Sequence, residues 1–308
     1  LNIAPALLQS AAAEAAGAQQ YPAGALYIVS TPIGNLADLT LRAIHVLALV
    51  DAVACEDTRV TAGLLRHLGL DKPLIALHQH NETQAAALVL QRLAQGQRMA
   101  YVSDAGTPTV SDPGAALVAQ AATAGYRVLP VPGASSALAA LSVAGDARSS
   151  GFEFIGFLPA RGAERAASLR RLGQGAAAQL LFEAPHRIEA LARELAALAP
   201  QRMLTLCREL TKQFETVATM TALQLPAWLA ADANRLRGEF VLVLHAPEPA
   251  EMPGDGLPTA ALGMLDVLLR ELPLKQAVSL AAELSGAPRN RLYQAALQRR
   301  GEASGNDA

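Results

Sequence analysis

The chain has 308 residues, 52% of them hydrophobic and 17% charged, with a formal net charge of −2. That length and hydrophobic content exclude wholesale disorder and allow either one large α/β domain or two smaller ones. A charge balance this near neutral excludes a protein-wide basic field, so any contact with nucleic acid must come from local patches.

Residues 1–24 are rich in Ala and Gln and hold no Lys or Arg; the first basic residue is Arg42. The positive start of a secretory signal is missing, so this stretch is expected to be a short disordered extension and the protein cytoplasmic. No apolar run is long enough to span a bilayer. From residue 25 the pattern becomes regular. Strands are expected at 25–30, 51–56, 73–77, 98–103 and 126–133, with helices at 40–50, 61–70, 82–96, 115–125 and within 131–141. Such alternation implies a parallel sheet with helices on both faces. "GDARSSG" (145–151) breaks the rhythm and reads as a linker, dividing a domain at 25–146 from one at 147–246.

The second domain restarts with a strand at 152–159, a helix near 162–173, a strand at 178–184 and a helix over 186–198. Strands at 202–210, 216–221 and 238–246 follow. The run from Phe214 to Thr221, beside the long final strand, suggests antiparallel pairing and hence a mixed sheet. A Pro/Gly/acidic linker (246–258) leads to a helical C-terminal segment at 258–301, read as two helices with a turn at Gly286-Ala-Pro288. Cys55 and Cys207 sit in apolar runs and are expected as buried free thiols.

Chemistry concentrates in the loops that follow strands. "SDAGTPTVSDPG" (103–114) joins a strand to a helix, where parallel sheets bind ligands. Gly106 and Gly114 permit close backbone approach, and Pro108 and Pro113 restrict the loop. Asp104 and Asp112 can accept hydrogen bonds from hydroxyl or ammonium groups. Neither G-x-x-x-x-G-K-[ST] nor G-x-G-x-x-G occurs, so the ligand is polar and neutral or cationic rather than a phosphate. A purely structural double turn, with Asp112 capping the next helix, is the competing reading. "STPIGNLADLT" (30–40), "CEDTR" (55–59) and "VPGASSALAAL" (131–141) occupy equivalent places, and four converging edges favour a preformed cleft.

These segments, with "HQHNE", "GFLP", "FEAPHR", "RELTKQFE" and "RGEFVLV", occur in an order that resembles the tetrapyrrole methylase superfamily. Within it the chain is most similar to the ribosomal RNA small subunit methyltransferase I family. The tail "APRNRLYQAAL" resembles that family's C-terminal helical segment. The resemblance implies two α/β domains, a parallel sheet then a mixed one, and a small helical C-terminal segment. It also implies a homodimer that uses S-adenosylmethionine to methylate a cytidine ribose 2′-hydroxyl in the decoding region of 16S rRNA. By that resemblance the donor site takes Pro32, Ile33 and Gly34 from the first loop. Asp104, Ala105, Gly106 and Thr107, then Ser111, Asp112, Pro113 and Gly114, come from the quoted loop. Pro132, Gly133, Ala134 and Ser135 follow, and the second domain adds Phe182, Glu183, Gly238 and Glu239.

A ribose hydroxyl is a weak acid, so a base or a nearby cation should assist its deprotonation. Glu56, Arg59, Glu183, Arg187, Glu209 and Lys212 are candidates. Lys212 is preferred, either as a neutral base or as a cation beside the developing oxyanion; a surface ion pair with Glu209 or Glu215 is the alternative. Glu56 and Arg59 compete with a salt-bridge knot at the substrate entrance. RNA contacts are expected from Asn35, His186, Arg187, Arg161, Arg165, Arg170 and Arg171, and in the tail from Arg289, Arg291, Arg299 and Arg300; solvated helix faces are the alternative. His78 and His80 lie two apart without an identifiable third ligand, so no metal is expected. A methyltransferase for corrin or porphyrin precursors and a non-catalytic ribosome assembly factor are the rival functions.

Overall fold

Contrary to the expected disordered extension, Pro5–Ala16 form a helix, α1. The Ala content that resembles low complexity is also the strongest helix-forming composition. Its small side chains let Ala12 and Ala16 bury completely or nearly so, and Gln9 Nε2 donates to the Leu68 carbonyl at 2.7 Å. The computed structural model that contains this helix describes residues 4–78, 80–248, 257 and 259–304.

Five short apolar runs build the first sheet. They are β1 (Ala25–Val29), β2 (Ala52–Cys55), β3 (Leu74–Ala76), β4 (Met99–Val102) and β5 (Arg127–Val131), all parallel, ordered β3-β2-β4-β1-β5. Successive side chains of a strand point to opposite faces, and here both faces are covered. In β4, Ala100 and Val102 join a core with α2 (Leu41–Leu49) and α3 (Thr58–His67). Met99 and Tyr101 join the opposite core with α4 (Glu82–Ala94) and α5 (Ala115–Thr123). Double burial explains why these strands read as unbroken apolar runs.

The second sheet is mixed, as expected. Its strands are β6 (Phe152–Phe157), β7 (Ala178–Glu183), β8 (Met203–Arg208), β9 (Thr216–Thr221) and β10 (Phe240–Leu244), ordered β6-β7-β10-β8-β9. Only β6 and β7 pair in parallel. β9 does not lie beside the final strand; it pairs antiparallel with β8 at the sheet edge, the loop 209–215 turning the chain back on the strand it has just left. One face packs on α7 (Gly162–Gln174), α8 (Ile188–Leu198) and α9 (Leu225–Ala230) through Leu172, Leu191, Leu195 and Leu229.

The other face packs on α6 (Ser136–Ala144), the helix that leaves the first sheet after β5. Ala137, Ala140 and Ala144 lie against Leu180, Cys207, Val241 and Val243. This Ala seam crosses the expected boundary near residue 146, so one compact unit, Leu1–Pro247, holds both sheets. Residues 145–151 are tied rather than free: the Asp146 carboxylate accepts the amide of Ala246 at 2.6 Å. Cys55 and Cys207 are buried free thiols, and burial pushes Cys207 up to about 12.

The second unit, Glu248–Ala308, holds α10 (Thr259–Glu271), α11 (Leu274–Ser285) and α12 (Arg289–Ser304) around Leu265, Val278, Ala281, Leu292 and Ala296. Three helices replace the expected two, since Pro273 lacks an amide proton and forces a break after α10. Gly286, at φ +68°, ends α11 where the turn was expected. Most of the 246–258 linker, and Pro258 at the expected start of the segment, lie outside the described residues. Among the described residues, no helix is long and apolar enough to cross a membrane.

Candidate active site

The loops after β1, β4 and β5 are fastened into one rim. Thr31 and Gly106 exchange backbone hydrogen bonds of 2.9 and 3.1 Å. The Thr107 hydroxyl donates to the Ala134 carbonyl at 3.0 Å, which leaves it to accept from Ser30 Oγ at 3.1 Å. Tyr101 on β4 donates to the Pro113 carbonyl of the quoted loop at 2.6 Å, and Gly114, at φ +110°, packs against the Tyr101 ring. A Cβ there would sit 2.2 Å from the ring, so the position tolerates no side chain. Glu82 Oε1 accepts the amides of Gly114 and Ala116 at 3.0 and 3.2 Å. Glu82 on α4, not Asp112, therefore caps α5.

Two cavities open along this rim. The first, of about 320 Å³, is lined by Ile33, Ala105, Gly106, Thr107, Ser111, Asp112, Ser135, Phe182, Glu183 and Glu239 among the expected donor residues. Val110, Ser136, Phe157, Ala184, Pro185, Leu210, Phe240 and Val241 complete it. The second, of about 420 Å³, takes Pro32, Gly34 and Asp104 and shares Ile33, Ala105 and Glu239 with the first. Pro113, Gly114, Pro132, Gly133, Ala134 and Gly238 line neither. They shape the rim: a Cβ on Gly133 would meet Ser30 Cβ at 2.9 Å, and one on Gly238, at φ +92°, would meet Glu209 Cγ at 2.5 Å.

The first cavity presents three carboxylates and no Lys, Arg or His. Burial raises the pKa of Asp112, against the hydrogen bond from Ser103, and the neighbouring Asp104 raises it further. Burial likewise raises Asp104 and Glu56, and for Glu56 the charges of Asp104 and Asp112 add to it. The Glu183 side chain is fully buried; its Oε1 accepts the Ala184 amide at 2.9 Å and pairs with Arg187 Nε at 3.0 Å. Its Oε2 has no hydrogen-bond partner. A buried carboxylate oxygen without a partner among the described residues fits a ligand that brings a hydrogen-bond donor or a positive charge.

Lys212 lines the second cavity with its Nζ 3.0 Å from both Glu209 Oε1 and Glu239 Oε2. Glu215, the other expected partner, instead accepts the Thr211 amide. Burial lowers the Lys212 pKa, but the hydrogen bonds to Glu239 and Glu209 outweigh it and the net shift is upward. Of the two expected roles of Lys212, the upward shift favours the cation. Gly34, at φ +149°, gives its stem room: a Cβ there would stand 2.5 Å from Lys212 Cγ. Glu56 and Arg59 line neither cavity. The Arg59 side chain is 89% exposed and pairs with Asp57, whose carboxyl its hydrogen bonds hold down to about 2. The Arg59–Asp57 pair is the ion pair expected of the salt-bridge alternative.

The model of the Tetrapyrrole (Corrin/Porphyrin) Methylases matches residues 25–226, and that of the RsmI C-terminal HTH domain matches residues 255–300. A ribosomal RNA small subunit methyltransferase I of Pseudomonas aeruginosa is 46% identical over 285 residues, covering 91% of this chain and 99% of that protein. The chain belongs to the ribosomal RNA small subunit methyltransferase I family. Solved structures share its fold at lower identity. A cobalt precorrin-4 methyltransferase superposes with a TM-score of 0.55 at 18% identity, covering 75% of this chain and 100% of its own. Uroporphyrin-III C-methyltransferase from Thermus thermophilus, complexed with S-adenyl homocysteine, gives 0.50 at 18%, covering 72% and 97%.

In this methyltransferase I family member the residues expected to face RNA divide in two. Arg161, Arg170, Arg171, His186 and Asn35 are exposed. Arg165 and Arg187 turn inward. Arg165 is 8% exposed and spends its guanidinium on Glu194, at 2.5–3.2 Å, and on the Pro159 carbonyl. Arg187 holds Glu183 and the Leu158 carbonyl. In the second unit Arg289 and Arg291 are exposed and Arg299 pairs with Asp266 at 2.7 Å; the Arg300 side chain lies outside the described residues. His78 and His80 have ring centroids 6.0 Å apart, and no group of three potential metal ligands occurs among the described residues. Phe157, Leu210 and Val241 were not anticipated as cavity walls, since an apolar residue at a strand end looks the same in sequence whether it meets a core or a ligand.

Proposed function

We propose that this chain transfers a methyl group from S-adenosylmethionine to the 2′-hydroxyl of a cytidine in the decoding region of 16S rRNA. The observation that carries the reading is a pair of abutting cavities, one lined by three carboxylates, the other holding a lysine cation on its wall. Asp112, Glu183 and Glu239 would take the donor's ammonium, sulfonium and ribose hydroxyls, with Phe157, Phe182 and Val241 against its apolar parts. When bound, the donor supplies an activated methyl on a positively charged sulfur. Lys212 stabilises the negative charge that grows on the acceptor oxygen as its proton passes to solvent at the open mouth of the second cavity. The enclosing loops exclude water and fix the approach.

Asn35, His186, Arg161, Arg170 and Arg171 are the RNA-facing residues of this reading, with Arg289 and Arg291 in the helical unit. The protein acts in the cytoplasm as a homodimer. The relatives carry ribosomal RNA small subunit methyltransferase I as their name, which favours RNA over the tetrapyrroles of the more distant solved structures. Labelled donor incubated with this protein and isolated small ribosomal subunits should label 16S rRNA at one ribose. Label entering only uroporphyrinogen, offered in parallel, would overturn the assignment.

A further inference from the structure

We propose that the second cavity is a seat for one nucleoside drawn out of its RNA, with Leu36, Val60 and Leu64 against the base. The inference rests on the methyltransferase reading and goes beyond it by naming how the acceptor is presented. Position is the first ground. The second cavity shares Ile33, Ala105 and Glu239 with the acidic one, so a group seated there meets the first cavity across a single wall. Its volume of about 420 Å³ is that of a small-molecule pocket and far below what a duplex needs.

The lining is the second ground. Val60, Leu64 and His67 recur along α3 at positions i, i+4 and i+7, so they form one stripe facing the cavity. Leu36, on the short turn after β1, is 48% exposed and Val60 is 46% exposed. Leu36 and Val60, left open beside a polar wall of Asp104, Lys212 and Glu239, match a molecule with an apolar face and a hydroxyl-bearing end. A nucleoside has that division, and an RNA backbone alone does not. A paired nucleotide cannot enter such a pocket, so the acceptor must leave its stack, as it does for enzymes that act on bases.

Val60→Trp fills the seat from the surface of α3 without touching the acidic cavity. Three quantities are read for it and for wild type: S-adenosylhomocysteine binding by calorimetry, co-sedimentation with small ribosomal subunits, and single-turnover methyl transfer. Transfer should fall by about 100-fold, the cost of a misplaced acceptor, with product binding and co-sedimentation unchanged. Leu36→Trp, on an exposed turn, should do the same and guards against a folding defect in the first variant, which loss of product binding would reveal. Wild-type transfer by both variants sinks the inference alone. Loss of co-sedimentation also sinks it, since Val60 would then be a general RNA contact. If wild type methylates no subunit, the functional reading falls and takes this inference with it.

Discussion

Replacing Lys212 by Met tests the centre of the mechanism. Its Nζ bridges Glu209 and Glu239 at 3.0 Å each, and the pairing raises its pKa despite burial. A cation at that place acts as an oxyanion-stabilising donor, and removing one such donor costs about 2.7–4 kcal/mol, or 10²–10³ in rate. The ion pairs are partly exposed, so their loss should cost stability no more than about 1 kcal/mol. The folded pKa lies above the unfolded value, so this contribution is present below about pH 10.4 and fades as pH rises through the folded value. Single-turnover transfer to small subunits should therefore fall by about 10²–10³ in Lys212→Met while the urea midpoint barely moves. Gly34→Ala, which drives a Cβ to 2.5 Å from Lys212 Cγ at φ +149°, should lower the rate in the same way with product binding intact. The pH profile separates the two roles. A neutral lysine base would make the wild-type rate climb tenfold per pH unit toward about pH 10, whereas a cation gives no such limb. That limb in wild type, absent from Lys212→Met, or a variant rate near wild type, refutes the assignment.

Glu183→Gln keeps the shape of the buried side chain but removes its charge from the acidic cavity; donor affinity by calorimetry should drop by about 10- to 100-fold, the worth of a hydrogen bond to a charged group. Glu82→Ala frees the amides of Gly114 and Ala116; stability should fall by about 1–2 kcal/mol, the scale of a lost helix cap, and donor binding should weaken with it, while Glu82→Gln restores most of both. His245 is buried with Nε2 2.8 Å from Thr205 Oγ1, and burial lowers its pKa. The unfolded chain then binds the proton more tightly, so stability should be lost as pH falls through about 6.5. Urea midpoints at pH 7.5 and 5.5 should differ less in His245→Gln than in wild type, and equal differences would disprove the link.

Much of this arrangement was legible because it rests on local rules. Strand-helix alternation, Gly at positive φ and the missing phosphate-binding lysine are statements about a few neighbouring residues. They placed both sheets and the rim. What was not legible depends on partners far apart in sequence. Arg165 and Arg187 look like phosphate ligands until Glu194 and Glu183 are seen beside them. Glu82 reads as the end of "HQHNE", yet its work is on Gly114, 32 residues away. Gly34 and Gly238 stand in the donor-site set that the resemblance implies, but the close approach at each is that of Lys212 and Glu209. The helix α1 was missed for the opposite reason: its composition carried the answer, and low complexity hid it.

Four residues other than Gly adopt positive φ in the described chain: Thr109, Ser111, Glu209 and Thr211. Each costs about 1–3 kcal/mol, and all four lie on two loops, one after β4 and one after β8. The first loop lines the acidic cavity through Val110, Ser111 and Asp112; the second supplies Leu210 to that cavity and Lys212 to its neighbour. Such strain persists only where surrounding contacts over-determine the backbone, and here they do. Tyr101 and Glu82 pin the first loop, and the mutual Glu209–Glu239 backbone and side-chain bonds at 3.0 and 2.9 Å pin the second. A methyl transfer needs donor and acceptor aligned to a fraction of an ångström. Loops held in this way would meet that need before either ligand arrives, and that ties the strain to the proposed alignment.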